Sequence, residues 1–151
     1  MIEVRIEDPA WRKALPGASS LVRGAARAAL AAEGRKGDGV AILLTDDDRQ
    51  QALNARFRGK DAPTNVLSFP APATPDGQIG DIALALGVCA REAVEQSKPL
   101  ADHVRHLATH GVLHLLGYDH EIEAEAVIME AKERAILAGL GVPDPYASDH
   151  G

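Results

Sequence analysis

Disulfide chemistry is excluded at the outset, because the 151 residues include a single cysteine, Cys89, and an intramolecular bridge needs two. With no second thiol and no adjacent basic cluster, Cys89 reads as a small buried apolar group rather than a reactive one. Aromatic residues are almost as scarce, at 3%, which argues against a platform of rings for stacking single-stranded bases. No apolar run is long enough to span a bilayer. The opening MIEVRIEDP alternates apolar and polar residues and lacks the basic start and apolar middle of a secretory leader, so a cytoplasmic location with no membrane contact is expected. Positive charge is in deficit: 16 Lys and Arg stand against 22 Asp and Glu, a net charge of −6. That balance disfavours wholesale electrostatic wrapping of nucleic acid. It permits a local basic groove, because gripping phosphate takes only a few well-placed Arg or Lys side chains.

What is present is an ordinary globular composition, 46% apolar and 25% charged, in a length that suits one domain with one core. Ile2, Val4 and Ile6 alternate with Glu3 and Arg5, the pattern of a half-buried strand. Leu21, Val22, Ala25, Ala26, Ala29 and Leu30 recur at helical spacing before Gly34, a natural helix stop. Val40 to Leu44 is a short continuous apolar run, as in a strand covered on both faces. Thr45, followed three residues later by Asp48, predicts a capped helix start and a helix running to Gly59. Two further strands are expected at 66–69 and 79–84, then helices at 87–96, 100–116 and about 121–137. No repeat or linker interrupts the chain. The expectation is an α+β single domain over residues 1–151, with a small mixed sheet of about four strands packed against about five helices.

Three of the six histidines fall in HGVLHLLGYDH, residues 110–120. On a helix, His110 and His114 differ by about 40° around the axis and so share a face. A third ligand for the same ion requires the chain to turn back, and Gly117 stands where a helix stop allows it. His120 can then return to the same point. Three neutral imidazoles suit one zinc ion per chain, with a fourth position open to solvent as in a catalytic site; nickel or iron also fits the ligand type. The frame H-x-x-x-H-x-x-G-x-x-H is metzincin-like, but metzincin proteases carry glutamate after the first histidine as general base, and here that position is Gly111. This counts against peptide hydrolysis. His106 and His103, further up the same helix, read either as neighbours of the site or as ordinary helix residues. Asp119 reads as a ligand-orienting group, a base or a turn residue, and Tyr118 as a packing residue.

HGVLHLLGYDH, together with LNARFRGKDAPTNVLSFP at 53–70 and GDIAL at 80–84, resembles the YbeY family of bacterial endoribonucleases, and the likeness extends over nearly the whole chain. The resemblance implies zinc held by His110, His114 and His120. It also implies a single-strand-specific, metal-dependent endoribonuclease acting in 16S rRNA 3′-end maturation and late 70S ribosome quality control. Ribosomal RNA and ribosome or small-subunit proteins would be its partners. From the family it carries over one arginine, Arg58, as a catalytic residue. The residues around it are compatible with this: Arg56, Arg58 and Lys60 cluster at a helix end, where a guanidinium can grip phosphate in bidentate fashion or simply complement the helix dipole. Asn65 and Ser68 read as turn and strand supports, and Asp81 as either a cleft group or a partner contact. The competing expectation is a ribosome-assembly or RNA-binding factor in which zinc fixes the fold and cleavage is weak. A metalloprotease stands third, for want of the base at Gly111.

Overall fold

The computed structural model describes residues 2–72, 77–119 and 121–146. Ten elements follow one another: β1 (Ile2–Ile6), α1 (Ala10–Ala14), α2 (Ala18–Ala32), β2 (Gly39–Thr45), α3 (Asp47–Arg58), β3 (Val66–Pro70), β4 (Gln78–Ala85), α4 (Leu86–Glu95), α5 (Leu100–Leu115) and α6 (Glu123–Gly139). The strands form one mixed sheet in the order β1-β2-β4-β3. β1, β2 and β4 run parallel, and β3 pairs antiparallel with β4. The expected α+β architecture is therefore what forms, with six helices among the described residues.

Register explains how the core is built. Val4, Ile42, Ile82 and Ser68 lie in one row across the four strands, and Ile6, Leu44, Leu84 and Val66 in the next. Because alternate residues share a face, both rows present to the same side, where α2 and α5 pack. The apolar stripe of α2 (Val22, Ala25, Ala26, Ala29, Leu30) is buried there. Most of α5 is buried as well, through Val104, Leu107, Ala108, Val112 and Leu113. A fully buried aliphatic side chain contributes roughly 1.5–3 kcal/mol, so these two helices carry much of the stability.

Gly111 sets how closely α5 approaches the sheet. A Cβ at that position would lie 2.9 Å from Ile82 Cδ1 and 3.2 Å from its Cγ2. The residue after the first histidine thus faces the sheet, where even a methyl group is crowded.

Two local features depart from the sequence reading. The five-residue α1 is too short to show periodicity. It exists because Trp11 is fully buried and its indole N–H donates to Thr45 O at 2.8 Å, which satisfies the ring's only polar atom. The cap of α3 is Asp46, not Thr45: Asp46 Oδ1 accepts from Arg49 N at 2.7 Å, while Thr45 Oγ1 donates to Glu7 Oε1 at 2.7 Å. Elsewhere the stops are as expected, with Gly34 at φ +69° and Gly59 at φ +71°. Cys89 is fully buried, and burial, reinforced by nearby Glu92 and Asp47, pushes its thiol pKa far up, so it is an inert thiol. Among the described residues no helix is long and apolar enough to cross a membrane.

Candidate functional site

α5 delivers the two described histidines of the motif. His110 and His114 line one open cleft of about 500 Å³, together with Arg58, Asn65, Ser68, His106, Asp119 and Tyr146. The helix ends one residue after His114. Gly117 takes φ +105°, a backbone region that side-chain-bearing residues avoid. There the Tyr118 N–H bonds back to Leu113 O at 3.2 Å. The turn required to bring a third ligand round is thus in place. His120 itself lies outside the described residues, and among those described no three His, Cys, Asp or Glu are grouped to hold an ion.

The turn is fastened from both sides. Tyr118 donates its hydroxyl to Glu33 Oε1 at 2.5 Å, and Lys132 Nζ donates to Glu33 Oε2 at 3.0 Å. α2, the turn and α6 are thereby tied together, which bears out the structural role read for Tyr118. The Glu33 carboxyl is held below its ordinary value: its burial opposes ionisation, but the bonds from Tyr118 and Lys132 outweigh it. Asp119 Oδ1 accepts from Glu121 N at 2.9 Å, so Asp119 stabilises the turn while also facing the cleft.

Across the cleft, Arg58 ends α3. Its Nη2 donates to Ser68 O at 3.1 Å, which anchors one corner of a guanidinium that carries five N–H donors. Ser68 Oγ in turn donates to Gly111 O at 3.4 Å. β3 therefore connects the arginine and the histidine helix. Asn65 also acts as a support: its side-chain amide donates to Glu92 Oε1 at 2.9 Å and its Oδ1 accepts from Val66 N.

The unexpected residue is Glu133 of α6. It is fully buried, and three groups converge on its carboxylate. His110 Nδ1 lies 3.0 Å from Oε2, His106 Nε2 lies 2.5 Å from Oε1, and the Tyr146 hydroxyl donates to Oε1 at 2.6 Å. Burial acts strongly against its ionisation, yet the bonds from His106, His110 and Tyr146 together bring its pKa down to about 2. Burial and Glu133 push the Tyr146 hydroxyl well above its ordinary value. Neither residue was singled out in the sequence. A signal existed for Glu133: with Met129, Ile136 and Leu137 it completes the buried stripe of α6, and a charged residue at such a position is rarely tolerated unpaired. Tyr146 carries no comparable signal, since it follows α6 in a short irregular segment.

Two other candidates are resolved. His103 does not join the cleft. It is buried, with Nε2 2.9 Å from Glu92 Oε1 of α4; burial lowers its pKa, and Glu92 only partly offsets that. Asp81 is exposed and lines a separate groove with Arg5, Leu43, Leu53, Phe57 and Phe69 on the other face of the sheet, so it is not a cleft residue.

The donor set fits a zinc-type ion on the chemistry of its described members. His110 has Nδ1 committed to a carboxylate, which leaves Nε2 as the ligating nitrogen, and His114 stands one turn further along the same cleft wall.

Comparison with known proteins bears on the fold and the family. The solution structure of TM1509 from Thermotoga maritima matches with a TM-score of 0.57, covering 99% of this chain and 95% of that one at 22% identity; at that identity the likeness speaks for the fold. Sequence goes further. The family model described as Endoribonuclease YbeY matches residues 6–141. Endoribonuclease YbeY of Rhodopseudomonas palustris strain BisB5 is 50% identical, covering 96% of this chain and 80% of that protein. The protein of the same name from Azorhizobium caulinodans is 50% identical, covering 97% and 96%. This chain belongs to the endoribonuclease YbeY family.

Proposed function

We propose that this chain is a cytoplasmic, single-strand-specific, metal-dependent endoribonuclease that acts in 16S rRNA 3′-end maturation and late 70S ribosome quality control. The observation that carries the reading is the convergence of Arg58 with His110 and His114 on one cleft, in a chain whose relatives at about 50% identity bear the name endoribonuclease. His110, His114 and His120 would hold one zinc ion. When bound, such an ion supplies Lewis acidity, polarising water or a phosphoryl oxygen. Arg58 binds the phosphate and offsets the negative charge that grows on its oxygens. Its bond to Ser68 O orients the guanidinium before substrate arrives, so less rotamer freedom is lost on binding. Lys60 adds local positive charge to the same wall, which an acidic protein needs to hold a polyanion. Ribosomal RNA and proteins of the ribosome's small subunit are the partners this reading implies.

The geometry disfavours the protease alternative on steric grounds as well as chemical ones. A glutamate in place of Gly111 would point into Ile82 rather than toward solvent in the cleft. The assembly-factor alternative is favoured by Asp119 and Glu121, which put acidic groups on the same cleft as Arg58. One assay separates the readings. Metal-loaded protein is incubated with 16S 3′-end RNA and with casein, beside His114→Ala and Arg58→Glu. Cleavage of RNA alone, lost in both variants while Arg58→Glu keeps its zinc, is the expected result. RNA binding without cleavage would favour the assembly factor, and casein hydrolysis the protease.

A further inference from the structure

We infer that Glu133 and Tyr146 are positioning residues of the metal site: the Glu133 carboxylate fixes the ring tautomer of His110, and Tyr146, from beyond the end of α6, holds that carboxylate in place. The inference rests on His110 being a metal ligand, as proposed above.

A carboxylate offers only lone pairs, so each group bonded to it must donate. The bond from His110 Nδ1 to Oε2 at 3.0 Å therefore places the His110 proton on Nδ1. A neutral imidazole has a single N–H, so Nε2 is the nitrogen left with a lone pair. Without the carboxylate, the ring would divide its population between two tautomers, and only one of them ligates through Nε2. Oε1 carries the other half of the arrangement. It accepts from His106 Nε2 at 2.5 Å and from the Tyr146 hydroxyl at 2.6 Å. Glu133 is thus held at both oxygens, and its carboxylate cannot turn without losing one of these bonds.

Tyr146 is held in turn by two contacts of its own and one on the residue before it. Its backbone N–H donates to Asp144 Oδ1 at 2.8 Å, Arg134 lies over its ring at 5.3 Å, and Lys98 Nζ donates to Pro145 O at 2.8 Å. Tyr146 reaches the site through its hydroxyl and through its ring, which meets His106 edge-on at 5.5 Å.

The test measures zinc affinity by competition with a chelator, on folded full-length wild type, Glu133→Gln, Tyr146→Phe and His110→Ala. It is combined with ring-nitrogen NMR of the metal-free proteins. Glu133→Gln is expected to weaken zinc binding by about 10–100-fold, the range for loss of a group that orients a metal-ligating histidine. Tyr146→Phe is expected to weaken it by about fivefold, the scale of one hydrogen bond. Metal-free wild type should show His110 protonated on Nδ1, with a tautomer mixture in Glu133→Gln. Affinity within twofold of wild type in Glu133→Gln, while His110→Ala loses zinc, overturns the inference and leaves the metal reading intact. An unchanged His110→Ala overturns both. Should Glu133→Gln fail to fold, a His110 ring protonated on Nε2 in wild type, or an unaffected Tyr146→Phe, overturns it equally.

Discussion

Helix α5 carries three histidine–carboxylate contacts, and the first and the last of them use the ring in opposite ways. Near its N-terminal end, His103 meets Glu92 through Nε2, the outer nitrogen of the ring. Two turns later, His110 meets Glu133 through Nδ1, the inner one. The first contact uses the reach of the ring to staple α5 to α4, and it leaves Nδ1 buried with no hydrogen-bond partner. The last ties the ring down at its base, on a residue that lines the cleft. The nitrogen does not decide the role by itself, since His106 also meets Glu133 through Nε2 and still lines the cleft. A carboxylate on Nδ1 orients a ring for ligation through Nε2, and His110 has one.

The contrast can be broken from either side. The largest effect is expected from His110→Ala, which should abolish zinc retention and RNA cleavage together; because it also removes the donor to Oε2 of the buried Glu133, it should cost the metal-free protein about 1–3 kcal/mol. Metal analysis and gel assays of the same preparation check this. Arg58→Glu comes next. Removing a donor that stabilises transition-state charge typically lowers the rate by about 10²–10³-fold, so cleavage should fall at least that far with zinc content intact. Gly111→Ala should cost about 1–3 kcal/mol through overpacking against Ile82, seen as a lower urea midpoint; an unchanged midpoint would show that α5 can move off the sheet. The smallest effect concerns His103. Its folded pKa is lowered, so below the ordinary histidine value of about 6.5 the unfolded chain binds more protons than the native one. This contribution to stability is complete above that pH and is lost as the pH falls through the folded value. Urea midpoints between pH 7.5 and 5.5 should therefore decline in wild type and decline less in His103→Gln.

Legibility followed the range of the interactions. The four strands, the five longer helices and the stops at Gly34, Gly59 and Gly117 could be read because apolar spacing and left-handed glycines act over a few residues. α1 could not, because one buried tryptophan bonded to Thr45 O, 34 residues away, gives no local period. The α3 cap moved from Thr45 to Asp46 because Glu7, from the end of β1, claims the threonine hydroxyl. The same limit applied to the site. The His110–His114 face and the turn after it were visible in the motif. Glu133 and Tyr146 were not, since they reach His110 and His106 from another helix and the segment behind it. Gly111 was read as a missing base; the structure adds that the position belongs to the sheet contact, where a Cβ would crowd Ile82.

Trp11 has a practical consequence. It is the chain's single tryptophan, fully buried and absent from the cleft lining. Its fluorescence will therefore follow the opening of the β1–β2 end and stay silent when metal or RNA enters the cleft. Loss of fold and loss of site can thus be told apart by colour in every variant above.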